Sequence, residues 1–261
     1  MAKNSYKNLL ANISQLNAGD AVTVYVPSIQ NNLQFSPLTV KQQKQLLASS
    51  VDTEFENLSF MNTLSEIIIS NCKSNSTLLL VDKPLIALQL RAHALGNVLT
   101  VDGDNQDKHA VDLEAHIKNV ISSLTPIAEE PPTMTHGPVT ITCRIPDLKK
   151  DIQYNKQFTK KVKKPGGAKL KMTDVIGDVY VSELVKFIHT VTVGEDMIDV
   201  DEGVSPAQVV DIFENLPMQV SSKLAEAVKT CRTIEEESIT CAELPDGITI
   251  PIDASLFTVG E

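Results

Sequence analysis

An α+β fold is what this sequence predicts, on three observations. Short segments alternate apolar and polar residues with the period of a strand, as in residues 21–26 (AVTVYV) and 139–145 (VTITCRI). Longer segments repeat apolar residues every three or four positions, as in Phe55, Leu58, Met61, Leu64, Ile68 and Cys72. Both patterns recur on either side of a proline-rich stretch at residues 125–138, TPIAEEPPTMTHGP. The expected organisation is an N-terminal β-hairpin plus helical domain over 1–126, a linker over 127–138 and a C-terminal α+β domain over 139–261. Each half is expected to be rich in helix and flanked by a small antiparallel β element.

The elements follow in chain order. Leu9, Leu10, Ile13 and Leu16 lie at helical spacing, which fits either a short docking helix or a frayed terminus. The strand at 21–26 ends at Pro27, residues 28–32 form a turn, and Leu33, Gln34 and Phe35 alternate again before Ser36-Pro37, so a hairpin is the simplest account. Thr39 is placed to cap a helix with Val40, Leu46 and Leu47 on one side. A second helix covers 52–72. After the apolar run at 78–81, Asp82 caps a helix with Pro84 in its first turn, and Gly96 ends it with a left-handed exit. A strand at 98–101 precedes an amphipathic segment at 109–124.

In the second half, Val139, Ile141, Cys143 and Ile145 share one side of a strand, and a basic loop occupies 147–171. Helical patterns cover 178–189, 205–215 and 220–231, the middle one opened by Ser205-Pro206. Two strands, SITC and ITIPI, close the chain around Pro245-Asp246-Gly247.

Composition narrows the function classes. The chain has 261 residues with a formal net charge of −10, which argues against broad binding of nucleic acid or anionic membrane. Aromatics are 4% with no Trp, so Leu, Ile and Val must fill the core. Cys72, Cys143, Cys231 and Cys241 are too scattered for a disulfide framework and are expected as buried thiols. The first residues lack the apolar core of a secretory signal, and the apolar runs are too short to span a bilayer, so a cytoplasmic location is expected.

Motifs for chemistry are missing from the sequence. It holds neither a Gly-x4-Gly-Lys-Ser/Thr nor a Gly-x-Gly-x-x-Gly phosphate loop, and no Gly-x-Ser-x-Gly elbow. It also lacks Cys-x2-Cys and His-Glu-x-x-His metal patterns. His109 and His116 would lie about 10.5 Å apart along a shared helix, too far for one metal. Asp199, Asp201 and Glu202 lack calcium-loop spacing and read as a solvated acidic turn. The expectation is therefore no cofactor, no metal and no catalytic residue.

The strongest local anomaly is basic. Lys149, Lys150, Lys156, Lys160, Lys161, Lys163, Lys164, Lys169 and Lys171 are nine of the 23 basic residues and fall within 23 positions, opposed there only by Asp151. This is either a solvated loop or a docking loop for an acidic protein surface. The few aromatics among the lysines speak against nucleic acid.

Several segments together resemble the baseplate hub proteins of T-even-like contractile-tailed bacteriophages. The first is FSPLTVKQQKQLL, with Phe35, Pro37, Thr39, Val40, Lys41, Lys44, Leu46 and Leu47 in the family's places. The second is VDKPLIALQLRAHALGNVL, with Leu90, Arg91 and Gly96. ITCRIPDLKKDIQYNK and the closing ITCAELPDGITIPIDASLF, with its terminal Phe257, are the others. The chain departs from many relatives in lacking paired cysteines near its end, which puts a zinc ribbon in doubt. The resemblance implies a non-enzymatic protein, hub component or hub assembly chaperone, that contacts other phage tail proteins. It would act in the host cytoplasm during assembly or in the virion tail baseplate. The residues themselves leave open a host cytosolic adaptor, or an enzyme with a cryptic Cys/His or carboxylate site. They also allow Arg91 either a carboxylate partner or a head in water.

Overall fold

In the computed structural model, residues 20–51, 56–103, 107–124, 126–127, 132–162, 172–245 and 248–258 are described, with the single positions 7, 9 and 12. The architecture is mixed α+β, with small antiparallel sheets. The chain forms two compact units. One comprises Met1–Leu78, Asp82–Leu124 and Glu237–Glu261, the other Leu79–Val81 and Thr125–Glu236. The N-terminal segment, left open between a docking helix and a frayed terminus, lies almost wholly outside the described residues.

Alternation builds the start of the first unit as expected. β1 (Val22–Val26) pairs antiparallel with β2 (Asn31–Phe35), Val22 opposite Phe35. Val22, Val24, Val26 and Phe35 are buried. On the other face the Gln34 side chain donates to Thr23 Oγ1 at 3.0 Å. Helix α1 (Val40–Ser49) opens with a reciprocal cap: Gln42 N donates to Thr39 Oγ1, and Thr39 N donates to Gln42 Oε1 at 3.0 Å. In α2 (Glu56–Asn71) the buried stripe is Phe60, Leu64, Ile67 and Ile68. Leu58 and Met61 are only half-buried and Phe55 lies outside the described residues, so the core-facing side is turned from the one the spacing suggested.

Helix α3 (Lys83–Leu95) is the centre of this unit, with Leu85, Ile86, Ala87, Leu88 and Leu90 all buried. Asp82 sits at its N-cap but does not cap it. A tight 3-10 turn over Leu80–Asp82 leaves Asp82 helical at φ −76° and ψ −25°. Its carboxylate accepts instead from Ser28 N and Ser28 Oγ, both at 2.7 Å. Gly96 exits at φ 90° and ψ 171°. That is positive φ, which glycine alone adopts readily, yet it is extended rather than the expected left-handed helical turn.

The segment 109–124 is not one helix. β4 (Lys108–Asp112) pairs antiparallel with β3 (Val98–Asp102), burying Leu99, Val101 and Val111. Helix α4 (Leu113–Ser123) starts only where the Asp112 carboxylate accepts from the Glu114 and Ala115 amides. Val111 and Leu113 straddle that boundary, so the apolar spacing runs on through it. His109 is thus on a strand, and His116 is buried on the helix with Nε2 2.9 Å from Ser238 O.

The second unit is built on a four-stranded antiparallel sheet in the order β5 (Thr133–His136), β6 (Val139–Cys143), β7 (Ile188–Val193) and β8 (Asp196–Asp199). Part of the proline-rich stretch is therefore strand, held by Met134 on the buried face in register with Ile141 and Val191. The opposite face carries Thr135, Thr140, Thr192 and Met197 in one register row. Threonine is polar yet β-branched, so it suits the wet side of a sheet. The helices are α5 (Leu148–Val162), α6 (Met172–Val185), α7 (Pro206–Glu214) and α8 (Met218–Cys231). Helix α7 begins with a Ser205–Gln208 capping box and Pro206, as its sequence indicates. The helix expected over 178–189 ends at Val185, and His189 belongs to β7.

Helix α9 (Thr233–Ile239) carries the chain back into the first unit. The two closing strands expected at SITC and ITIPI do not form among the described residues. Ser238 is helical, and Ile250 N donates to Ile239 O at 2.9 Å. A 3-10 turn over Ala254–Phe257 then buries Leu256 and Phe257, the latter 6.2 Å from Phe60 between ring centroids.

Candidate interaction surface

The basic stretch begins as a helix and not as a loop. Leu148, Ile152, Asn155 and Phe158 recur every three or four residues and are buried. The lysine density hid that periodicity in the sequence. Lys149, Gln153, Lys156 and Lys160 occupy the opposite, exposed side of α5. Lys161 is in the helix, but its side chain is outside the described residues, as are Lys163, Lys164, Lys169 and Lys171.

Two members of the stretch turn inward. Lys150 Nζ donates to Ile188 O at 3.0 Å and to Asp201 Oδ1 at 3.1 Å. Asp151, the one acidic residue among these lysines in the sequence, is 1% exposed. It receives Lys186 Nζ at 2.8 Å, and Lys186 also bonds Glu183 Oε1 at 2.9 Å. Arg232 reaches Glu183 Oε2 at 2.7 Å while its guanidinium sits 5.6 Å over the Phe187 ring. Burial pushes the Glu183 carboxyl up, but Lys186 and then Arg232 outweigh it and hold the group below its ordinary range. Burial pulls the Lys186 ammonium down, but Asp151 and Glu183 overcome this and raise it. Within the sequence only the Glu183–Lys186 pair, three positions apart, is signalled, because Asp151 lies 35 positions from Lys186 and Arg232 lies 49 from Glu183.

Asp201 was expected in a solvated acidic turn, yet it collects cations. Arg144 approaches Oδ2 at 2.5 Å and His189 Nδ1 lies 3.0 Å from the same oxygen, with Lys150 on Oδ1. Burial raises this carboxyl, but Lys150, Arg144 and His189 together hold it below its ordinary range. Burial, then the Asp201 charge, pushes the nearby Tyr154 hydroxyl well up. His189, Asp199 and Asp201 place three possible ligand atoms within 4.8 Å of one another. Arg144 and Lys150 already balance the Asp201 charge, so the group is built as an ion-pair clasp joining α5, the chain just after β6, β7 and the turn after β8.

The residues singled out in the first unit lie in its core, at a turn and at a helix cap. Phe35 and Leu90 are buried, Pro37 is half-buried at the turn and Thr39 caps α1. Among the described residues Arg91 meets no carboxylate, and its head is shut off from solvent. It is 3% exposed and donates to three carbonyls: Gly96 O, Val98 O at 2.9 Å and Leu256 O at 3.3 Å. Burial lowers its pKa. Of the thiols, Cys143 and Cys241 are buried and Cys72 half-buried. The Cys231 side chain lies outside the described residues.

Described as T4 bacteriophage base plate protein, one family matches the chain over residues 20–244. The chain belongs to that family. This base plate protein carries Phe35, Pro37, Thr39, Leu90, Arg91 and Gly96 inside the matched region, whereas Leu256 and Phe257 fall beyond it. Comparison with curated proteins and with solved structures finds no match. No helix among its described residues is long and apolar enough to cross a membrane.

Proposed function

We propose that this base plate protein is a non-enzymatic part of the baseplate hub, or a chaperone of hub assembly, and works through contacts with other tail polypeptides. The family match over 20–244 carries the reading. The disposition of charge supports it. Arg91, Lys186 and Asp201 each tie secondary elements together. Lys149, Lys156 and Lys160 stand outward on one face of α5. They project over about 16 Å of helix, a positive row suited to an acidic protein surface. Lys161, Lys163, Lys164, Lys169 and Lys171 continue the charge along the sequence.

The test is mass spectrometry of purified particles beside a pulldown of the tagged chain from infected cells. Recovery in particles assigns a component, and recovery only in pulled-down complexes assigns a chaperone. Tail proteins missing from both would refute the proposal. Replacing Lys149, Lys156 and Lys160 together by Glu is expected to reduce the recovered tail proteins at low salt with an unchanged circular dichroism spectrum. Unchanged recovery removes the α5 docking role.

A further inference from the structure

We infer that β8 is a docking edge that accepts an extended, basic segment of another polypeptide as a fifth strand of the sheet. The two edges of the sheet are unlike. β5 is covered, since α8 packs along it and Lys223 Nζ donates to Thr135 O at 2.8 Å. Among the described residues β8 pairs only with β7.

The hydrogen-bond phase shows which groups are offered. Val200 N donates to His189 O at 2.8 Å, which marks the first bonded pair. Alternation makes Ile198 with Val191 and Asp196 with Val193 the next bonded pairs. The N–H and C=O of Met197 and the N–H of Asp199 then point away from the sheet. Asp199 O is taken by Glu202 N at 3.2 Å, so the open edge spans these three groups. Among the described residues none of the three has a partner.

Side chains state what kind of strand fits. Met197 is 66% exposed and Ile198 39%, so an incoming strand meets apolar surface on both faces. Glu195, Asp196 and Glu202 are exposed around the edge. This charge opposes pairing with a second copy. With Met197 opposite Met197 across two β8 edges, Glu195 of each would face Asp199 of the other. It favours a segment that alternates Lys or Arg with apolar residues.

The test uses the full chain and a synthetic octapeptide, Lys-Val-Lys-Ile-Lys-Val-Lys-Val, with residue-resolved amide exchange and a binding titration. The peptide is expected to bind and to slow exchange at Met197 and Asp199 while leaving Ile198 unchanged. Met197→Pro removes an outward N–H that the sheet does not use, and it is expected to weaken binding by at least about tenfold. The same peptide with Glu for Lys is expected not to bind. Failure of the basic peptide to bind, binding without protection at Met197 and Asp199, or equal binding of the acidic peptide would each overturn the inference. Unaltered affinity in a folded Met197→Pro variant would do so too. If that variant does not fold, the exchange result on the unaltered chain decides.

Discussion

Arg91→Ala tests the buried arginine directly. Among the described residues the side chain meets no carboxylate; it holds the strand start at Val98, the helix exit at Gly96 and the closing turn at Leu256 by three donated bonds. Hydrogen bonds to a charged donor contribute about 1.5–3 kcal/mol each. Three of them, less the several kcal/mol that burying a cation costs, leave a net loss of about 3 kcal/mol on truncation. The loss should be local. Leu256 N and Thr258 N are held by Asp253 O and Ser255 O, and that turn is anchored from outside by Arg91 and by Gln43 Nε2 on Phe257 O at 2.8 Å. Hydrogen exchange read by residue is the assay, with urea unfolding beside it. Arg91→Ala should speed exchange at Leu256 and Thr258 far more than at Val191 in the second unit. Combined with Phe257→Ala it should be non-additive by at least about 1 kcal/mol, since both changes free the same turn. A loss under about 1 kcal/mol, or unaltered exchange at Leu256, refutes the reasoning.

Lys186→Met should destabilise the second unit by about 3–5 kcal/mol, because Asp151 and Glu183 lose their shared ammonium. Adding Asp151→Leu should recover at least half of this in urea unfolding, and an equal or larger loss in the double variant contradicts the network. Acid should act through Glu183 and Asp201. Both folded pKa values lie below the ordinary 4.5 and 3.8, so their stabilisation is complete above those values and is lost as pH falls through the folded ones. The urea midpoint should drop below about pH 4.5 and Glu183→Gln should flatten the slope, an identical slope counting against the assignment. Lys186 works in the other direction. Its pKa is raised above 10.5, so its contribution is full below that value and disappears as pH rises through the folded value.

Local physics made much of the fold legible. Thr39 with Gln42 and Ser205 with Pro206 and Gln208 mark helix starts because a cap is a contact over three residues. The hairpin at 22–35 is legible because its partners are adjacent in the chain. Apolar spacing fails where two elements abut without a break. Val111 and Leu113 read as one helix across a strand end, and residues 178–189 read as helix although β7 begins at Ile188. At α5 the lysines that drew attention to the stretch concealed the stripe of Leu148, Ile152 and Phe158.

By itself the sequence determined the α+β class, the capped helices, the first hairpin and the presence of an unusual run of lysines. Those are properties of spacing and composition, which act between neighbours in the chain. The tertiary structure decided which charges face solvent and which are buried. Lys149 and Lys150 are adjacent in sequence, yet one faces outward and the other bonds Asp201, because a helix turns about 100° per residue and packing then fixes which side meets the sheet. It also decided that Arg91 answers to carbonyls up to 165 positions away and that β8 is left as an open edge. Such pairings are set by the burial of distant apolar surface, and local spacing does not encode them.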